Sequence, residues 1–232
     1  LAAVLGCTKP LVVQLCDERL LTPVYYGEPG IKGKLQKGVD SHEVAALLAV
    51  LSSNSEASRD TGGLVTIAKA SEKAKIPAVC VVQLVCPGLL THVVRLDGMS
   101  GIDGLRVCPS EVKLVSRARL VGVTSSEAFS ALKLNTEAGW ELADRHLDEV
   151  SLEPFRISGG KSGVTITRFL PESIEAFAAR FGSIARIAEM HAVGVREMKA
   201  LLKEVRVKPA LGWREVGMDI YRLSDVADAL PS

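Results

Sequence analysis

Short stretches rich in Leu, Val, Ile and Ala alternate with polar or glycine-containing loops along the chain, and one order of stretches returns four times. Each copy opens with two stretches of about eight residues across a turn of three or four residues, which predicts a pair of short helices. In the fourth copy we expect a helix from residue 195 to residue 204, with a core-facing apolar stripe of Val195, Met198, Leu201 and Leu202. The first copy retains the end of its first helix, at residues 2–5.

Two short phrases follow each helix pair and lie about twenty residues apart. The first phrase ends a helix and begins a strand, and its copies stand at residues 20–24, 89–93, 151–155 and 206–210. The second phrase leads from a strand into another helix, and its copies stand at residues 39–44, 107–112, 169–174 and 221–226. Because a glycine-containing loop separates the two strands, each copy is predicted to contain a β-hairpin, or wing.

The repeat predicts a mainly α fold with small β-hairpin wings, arranged as tandem winged helix-turn-helix modules. The expected modules are residues 1–53, 61–119, 120–181 and 182–232, with the first module incomplete at its N-terminal end. The polar stretch 52–63 predicts a flexible linker, and the shorter joins further along predict that modules two to four pack closely.

Polar residues stand at several predicted helix starts, where they can accept hydrogen bonds from unpaired backbone N–H groups. We expect Thr124 and Ser183 to cap the first helices of modules three and four, and Asn135 or Thr136 to cap the second helix of module three. Asp40 and Glu43 have the spacing of a capping box at the last helix of module one.

The phrases Leu20-Leu21-Thr22-Pro23 and Tyr221-Arg222-Leu223-Ser224-Asp225-Val226 resemble those of the MerR/excisionase-like winged helix-turn-helix superfamily. In that superfamily a Gly-Leu-Leu-x-Pro strand follows the helix pair, and a wing and a Tyr-Arg-Arg-Ser-Asp-Val step into a helix come next. The resemblance touches nearly the whole chain, once in each module, and implies DNA binding through the second helix and the wing. The tandem arrangement is also similar to the C-terminal regions of TniQ-type transposition proteins, which implies a role in choosing an insertion target.

Charge is unevenly distributed among the modules, although the formal net charge of the chain is only +1. Residues 61–120 carry eight basic and four acidic residues, whereas residues 121–181 carry six and nine. The second helix of module two, at residues 77–85, has almost no side chain that could read a base. That of module three carries Glu137, Glu141 and Asp144, which phosphate would repel. The modules are therefore not equivalent as DNA readers.

Module four supplies the strongest candidate for a DNA-reading helix, because Arg196, Lys199 and Lys203 share one face opposite the apolar stripe. An arginine can bond bidentately to guanine, and lysines can contact phosphate. A solvated basic face without a DNA contact is the alternative, and it stays open. The predicted DNA-binding residues on helices and wings are Arg196, Lys199, Lys203, Arg206, Lys9, Lys32, Lys34, Lys37, Lys161, Arg168 and Arg214.

The sequence contains no arrangement of residues that is typical of an enzyme or a metal site. Its four histidines lie in different modules, its five cysteines lack zinc-site spacing, and no GxSxG, HExxH, P-loop or GxGxxG motif occurs. We therefore expect no catalytic activity, no cofactor and no metal. Cysteines among apolar neighbours and the lack of a long apolar run predict a cytoplasmic protein that has no membrane partner.

Two functions follow from these features. The first is an array of modules on double-stranded DNA, acting in transposition or recombination targeting or in transcription regulation, alongside protein components of a nucleoprotein complex. The second is a protein–protein interaction scaffold built from degenerate winged-helix modules. Trp140 is expected in a core, whereas Trp213, in the predicted fourth wing, is equally suited to packing on its module and to contacting a partner.

Overall fold

Helices and short strands follow the predicted order through most of the chain. The computed structural model describes residues 1–26, 36–145, 150–158 and 165–230. These residues form a mainly helical fold with small sheets of short strands. The chain divides into two compact units: unit 1 comprises Leu1–Val121 and Arg156–Ile166, and unit 2 comprises Gly122–Phe155 and Thr167–Ser232.

Unit 1 contains two sets of elements, which correspond to the first two predicted modules. The first set is α1 (Ala2–Leu5), α2 (Lys9–Asp17), β1 (Pro23–Tyr26), β2 (Gln36–Val39) and α3 (Ser41–Ser53). The second set is β3 (Glu56–Ser58), β4 (Val65–Thr66), α4 (Ile67–Ala74), α5 (Ala78–Val85), β5 (Val93–Leu96), β6 (Leu105–Val107) and α6 (Pro109–Arg119). Strands β1 and β2 form an antiparallel pair, and a separate four-stranded sheet has the order β3-β5-β6-β4.

The third and fourth sets lie mainly in unit 2. The third set is α7 (Ser125–Ala131), α8 (Thr136–Asp144), β7 (Phe155–Ser158), β8 (Thr165–Arg168) and α9 (Pro171–Arg180). The fourth set is β9 (Phe181–Ser183), α10 (Ile184–Met190), α11 (Val195–Glu204), α12 (Trp213–Val216), β10 (Ile220–Arg222) and α13 (Leu223–Ala229). Strand β7 pairs with β8, and the division between the units passes through both strands, while β9 pairs antiparallel with β10.

The turn between the two helices of a pair has the same form in all four sets. The N–H of its first residue donates to the carbonyl three residues earlier, and the next N–H donates to the carbonyl five residues earlier. This first residue has left-handed backbone geometry, with φ of 55°, 57°, 54° and 53° at Gly6, Lys75, Lys133 and Ala192 respectively. The second residue is apolar and turns toward the core, and the third is the N-cap of the second helix. A three-residue turn thus reverses the chain in each set.

A strand that the sequence analysis missed precedes three of the helix pairs. Strand β4 pairs with β6, Val123 forms an isolated bridge with Phe169, and β9 pairs with β10. In each case the partner is the segment that leads into the last helix, so the start of a set is bonded to its end. Strands of one to three residues are too short for an alternation of apolar and polar residues to reveal them.

Hydrogen bonds join the two repeated phrases. In the first set the carboxylate of Glu43 accepts a hydrogen bond from the N–H of Thr22 at 2.6 Å. In the second set the carboxylate of Glu111 accepts hydrogen bonds from the N–H and the hydroxyl of Thr91, each at 2.6 Å, and from the N–H of His92 at 3.1 Å. The regular distance between the phrases in the sequence therefore reflects a contact in the fold.

The hydrogen bonds of Glu43 and Asp40 differ from those of the predicted capping box. The capping box at Asp40 is wrong, because the carboxylate of Glu43 is bonded to Thr22 and Asp40 accepts a hydrogen bond from the N–H of His42 at 2.7 Å. Three other predicted caps are confirmed, since each side chain accepts a hydrogen bond from a backbone N–H three residues later: Thr124, Asn135 and Ser183.

Hydrophobic contacts merge neighbouring sets within each unit. In unit 1 a single cluster contains Leu15 from the first set and Val82 from the second. In unit 2 a cluster around Phe169 of the third set includes Val216 of the fourth, and a second cluster around Met198 belongs to the fourth set. The four predicted modules are therefore grouped into two units, and each unit contains a pair of sets.

The predicted flexible linker at residues 52–63 contains a strand, so this prediction is wrong for that segment. Strand β3 pairs in parallel with β5 of the second set. The side-chain amide of Asn54 donates hydrogen bonds to the carbonyls of Val85 and Cys86 at 3.2 and 2.6 Å. These bonds satisfy carbonyl groups at the end of α5 that have no partner within the helix. Polar residues here complete the second set instead of separating the sets.

The wing predicted around the loop at residues 212–217 is reduced to a single antiparallel bridge between Leu211 and Ile220. The loop between these residues forms the one-turn helix α12, in which the N–H of Gly212 donates to the carboxylate of Glu215 at 2.7 Å. The N–H of Trp213 donates to the carboxylate of Asp219 at 2.9 Å. Carboxylates that bond nearby backbone N–H groups favour a helical turn over a strand ladder.

Backbones of the two sets in unit 1 approach each other closely. Gly6, in the turn between α1 and α2, accepts a hydrogen bond from the N–H of Asp103 in the β5–β6 loop at 2.7 Å. A Cβ atom on Gly6 would lie 2.6 Å from the carbonyl oxygen of Ser100, and one on Gly101 would overlap the carbonyl of Leu5. Glycine at both positions therefore allows the loop of the second set to contact the turn of the first.

Unit 2 repeats this relation between sets. The side-chain amide of Asn135, the N-cap of α8, donates to the carbonyl of Gly217 at 3.4 Å. The guanidinium of Arg145, which follows α8, donates to the carbonyl of Glu215 at 3.4 Å. In unit 1, therefore, the loop before the last strand of the second set contacts the helix pair of the first set. In unit 2 the corresponding loop of the fourth set contacts the helix pair of the third set.

We predict that Gly101→Ala lowers the free energy of unfolding of unit 1 by about 2–4 kcal/mol, because the new Cβ overlaps the Leu5 carbonyl and φ is +70°. Gly98→Ala is the matched control, since Gly98 lies in the same loop with φ +78° and no atom within 4 Å of its Cβ position. It should lose about 1 kcal/mol. Urea unfolding followed by circular dichroism measures both, and equal losses would show that the contact with Leu5 contributes nothing.

A second prediction concerns the Glu111 carboxylate. Burial raises its pKa, but the hydrogen bonds from Thr91 and His92 outweigh burial and lower the pKa below its usual range. The ionised form therefore stabilises the fold above the ordinary carboxyl pKa, and this stabilisation is lost as the pH falls through the lowered value. We expect Glu111→Gln to reduce the free energy of unfolding by about 1–3 kcal/mol at neutral pH.

The control for this variant is Glu72→Gln, which removes an exposed carboxylate paired with Lys69 at 2.9 Å and should change stability by less than about 0.5 kcal/mol. Urea unfolding of the wild type and of both variants at several pH values shows whether the loss of stability depends on the ionisation of Glu111. A loss for Glu111→Gln that stays constant down to a pH of about 2 would contradict the linkage to ionisation.

Candidate nucleic-acid interface

Helix α11 packs on the rest of unit 2 through a narrow apolar stripe. Met198 and Leu202 are buried in a cluster with Ile187 of α10, Tyr221 of β10 and Val226 of α13. Most other residues of α11 are exposed, and the prediction that Val195 faces the core is wrong, because this residue is 51% exposed. The helix is therefore held along one side and open to solvent over most of its circumference.

Three cations share the exposed surface of α11. Arg196, Lys199 and Lys203 are exposed, and at 100° per residue they fall within an arc of about 60°. Glu197 and Glu204 lie about 120° further round the helix. No ion pair joins any of the three cations to a residue that the structure describes. Their charge is therefore available to a ligand.

Arg206 follows α11 and has left-handed backbone geometry, with φ 61°. Its N–H donates to the carbonyl of Lys203 at 3.2 Å, and the N–H of Val207 donates to the carbonyl of Leu202 at 3.0 Å. These are the same two bonds that end the first helix of each pair. The exposed guanidinium also lies near the helix C-terminus, where cations interact favourably with the backbone carbonyls.

Lys208 extends this group, and the sequence analysis missed it. It is exposed two residues after Arg206, while Val207 between them packs against the apolar cluster of α11. The order Arg206-Val207-Lys208 could have predicted it, because successive side chains of an extended segment point to opposite sides. We call the following set the basic surface: Arg196, Lys199, Lys203, Arg206 and Lys208.

The remaining predicted residues are placed differently. Lys9 is the exposed first residue of α2 in unit 1, and Arg214 is exposed in α12 of unit 2. The backbone of Lys37 lies in β2, opposite Tyr25. Three predicted wing residues lie outside the described part of the chain: Lys32, Lys34 and Lys161.

The prediction of Arg168 as a DNA contact is wrong. Arg168 is only 6% exposed, and its guanidinium donates to the carbonyl of Gly122 at 2.9 Å. Burial alternates along β8, so Arg168 shares the inner face of the strand with Ile166. Its guanidinium secures the segment that bridges Val123 to Phe169 and is withdrawn from solvent.

The second helices of the other sets differ from α11. Every residue of α5 from Val79 to Val85 is buried. Helix α8 buries one face and exposes the acidic residues Glu137 and Asp144. Helix α2 exposes one cation, Lys9. Of the four second helices, as far as the structure describes them, α11 is therefore the one that exposes several cations on one side.

The two tryptophans have opposite surroundings. Trp140 is buried as predicted, and its ring contacts Phe129 and Phe169 edge-on, with centroids 5.5 and 6.1 Å apart. Trp213 is 68% exposed on α12. Its indole therefore lies outside the apolar core of unit 2 and adds an aromatic surface next to Arg214 in the chain.

No protein-family model, curated protein or solved structure matches the chain. None of the helices in the described ranges is both long and apolar enough to cross a membrane. The function is therefore inferred from the chain's own residues.

Glycine at two left-handed positions should increase stability. Ala192→Gly relieves backbone strain, so we predict a gain in the free energy of unfolding of about 0.5–1 kcal/mol. Arg206→Gly should gain similar stability, because Arg206 is exposed and has the same left-handed geometry. Thermal unfolding measures both variants, and a loss of stability in Arg206→Gly alone would show that its side chain contributes to the fold.

Proposed function

We propose that the chain is an array of winged helix-turn-helix modules that binds double-stranded DNA, with α11 as its main reading helix. The observation that carries this proposal is the exposed arc of Arg196, Lys199 and Lys203, free of ion pairs with the described residues, on a helix held from behind by Met198 and Leu202. Such a helix can enter the major groove without disturbing its own packing. The resemblance of the repeated phrases to MerR/excisionase-like proteins supports the same proposal.

The position of each cation along α11 suggests its role. Arg196 stands in the first turn, and the N-terminal residues of a recognition helix are those that meet base edges. A bidentate contact from its guanidinium to guanine would discriminate against other bases by about 1–3 kcal/mol. Lys199, Lys203 and Arg206 stand further along and are suited to phosphate contacts, which position the helix without reading sequence.

Salt dependence provides a quantitative expectation. Each phosphate contact on duplex DNA releases condensed counterions and contributes about −0.9 to the slope of log affinity against log salt. The five cations of the basic surface would therefore give a slope of about −4.5 at most. Because the formal net charge of the chain is only +1, binding should depend on this local surface rather than on attraction by the whole molecule.

The other sets would act by tethering and by wing contacts. Weak contacts from Lys9 and from the wings gain from the effective concentration that a linked module provides. Choice of an insertion target in transposition or recombination, or regulation of transcription, is the process that the family resemblance implies. Protein components of a nucleoprotein complex would then be further partners.

A protein–protein scaffold is the second candidate function. The burial of α5 on all sides and the acidic exposed residues of α8 favour it, because neither helix is suited to a phosphate surface. In this case the chain would bind no duplex even at low salt, and its winged-helix elements would serve only to hold protein partners.

The charge-removal variant Arg196→Gln, Lys199→Gln, Lys203→Gln tests the proposal. We predict at least a tenfold loss of affinity for random duplex DNA at low salt, measured by fluorescence anisotropy. The slope against log salt should become shallower by about 1.8, because the two phosphate contacts assigned to Lys199 and Lys203 are removed. Glutamine retains helix propensity, so the helix itself should persist.

The matched control removes three exposed cations from α6: Lys113→Gln, Arg117→Gln, Arg119→Gln. It makes the same change in net charge, and we expect its affinity to stay within about threefold of the wild type. Equal losses of affinity for the two variants would show that binding depends on overall charge and not on α11. No binding by the wild type at low salt would reject the DNA array and favour the scaffold.

A further inference from the structure

A cavity in unit 1 combines apolar walls with a single charged side chain. It lies between α3 of the first set and the β5–β6 hairpin of the second, and its volume is about 280 Å³. Leu51 and Leu105 are almost fully buried in its lining, whereas Met99 is 42% exposed. The volume is near the lower end of the range for small-molecule sites, which combine apolar walls with a few polar groups.

The charged residue of this lining is Arg95. It lies in β5 between two neighbouring strands, opposite Ala57 of β3 and Leu105 of β6, and it is half-buried. No hydrogen bond or ion pair joins its guanidinium to a residue that the structure describes. The nearby carboxylate of Asp97 is paired instead with Arg59, at 3.5 Å.

An unpaired arginine that is half-buried in the lining of a cavity favours the entry of an anion. Withdrawal of a cation from water costs free energy unless an opposite charge or hydrogen-bond acceptors compensate it. Because the described lining residues supply no carboxylate, a ligand can provide this compensation. The leucines of the lining favour apolar groups in the rest of such a ligand.

We propose that this cavity binds a small monocarboxylate with an apolar body, such as a medium-chain fatty acid or an aromatic acid. The carboxylate pairs bidentately with the guanidinium of Arg95, the geometry that arginine and carboxylate prefer. The apolar body covers Leu51 and Leu105, and the flexible side chain of Met99 adapts to its shape. This site is separate from the basic surface and does not depend on DNA binding.

Charge and polarity together define the ligand class. A neutral alcohol of the same length offers Arg95 one uncharged acceptor in place of a bidentate carboxylate, and an amine places two cations together. A dicarboxylate puts a second charge against the leucines, where it loses hydration without a compensating cation. A single carboxylate at one end of an apolar group therefore fits the cavity best.

Isothermal titration of the full chain with octanoate, and separately with benzoate, tests the proposal. We expect one site per chain with a dissociation constant between about 10 μM and 1 mM, as is usual for ligands of about ten heavy atoms. Octanol and octylamine should bind at least tenfold more weakly. Arg95→Gln should weaken octanoate binding at least tenfold, because the charged hydrogen bonds to the carboxylate are lost.

Arg119→Gln is the matched control, since it removes the same charge from an exposed side chain of α6 that does not line the cavity. Ser52→Trp provides a test that keeps Arg95, because Ser52 lines the cavity from α3 and the larger side chain should exclude octanoate. Circular dichroism checks that each variant is folded. The proposal is overturned if neither acid binds the wild type at about 5 mM. It is equally overturned if Arg119→Gln weakens binding as much as Arg95→Gln, or if folded Ser52→Trp binds octanoate like the wild type.

Discussion

The left-handed residue that ends each first helix sets the geometry on which the rest of its set depends. Its two hydrogen bonds reverse the chain within three residues, so that the next, apolar residue turns into the core and the second helix starts at a fixed angle. At Lys75, Lys133 and Ala192 this geometry carries strain of about 1 kcal/mol, because a Cβ is present. Burial of the following apolar residue offsets the strain, and the helix pair, the strands and the last helix are then held together by bonds such as that from Thr91 to Glu111.

Pairing of sets explains why the four second helices have diverged. A set of about fifty residues has a small core and would be marginally stable alone. In unit 1 the second set solves this by placing α5 at the centre of a shared core with Leu15 and Leu51 of the first set. In unit 2, Val216 joins the core around Phe169, and α11 keeps its own narrow stripe and its exposed cations. Helix α5 thus serves the shared core of unit 1, whereas α11 leaves its cations exposed.

Much of the local structure could be predicted from the sequence, because helix periodicity and caps are local signals. The starts of helices at Thr124, Asn135 and Ser183 and the shared face of Arg196, Lys199 and Lys203 belong to this class. Features that depend on a distant partner could not be predicted. The inward face of Arg168 depends on the carbonyl of Gly122, and β3 depends on pairing with β5. The one-turn helix at Trp213 depends on carboxylates at Glu215 and Asp219, whose bonds to backbone N–H groups outweigh a glycine-rich composition.

The burial of α5 from Val79 to Val85 has a consequence for how the second helices of the sets can change. A recognition helix acquires a new target when its solvent-facing residues are exchanged while its core-facing residues stay the same. Helix α5 has no solvent-facing residue between Val79 and Val85 to exchange, and its carbonyl end is covered by Asn54. Substitutions in α5 therefore alter stability rather than preference for a ligand, whereas α11 can exchange its exposed residues without touching Met198 or Leu202. Packing thus restricts the residues that α5 can accept, whereas most positions of α11 are not restricted in this way.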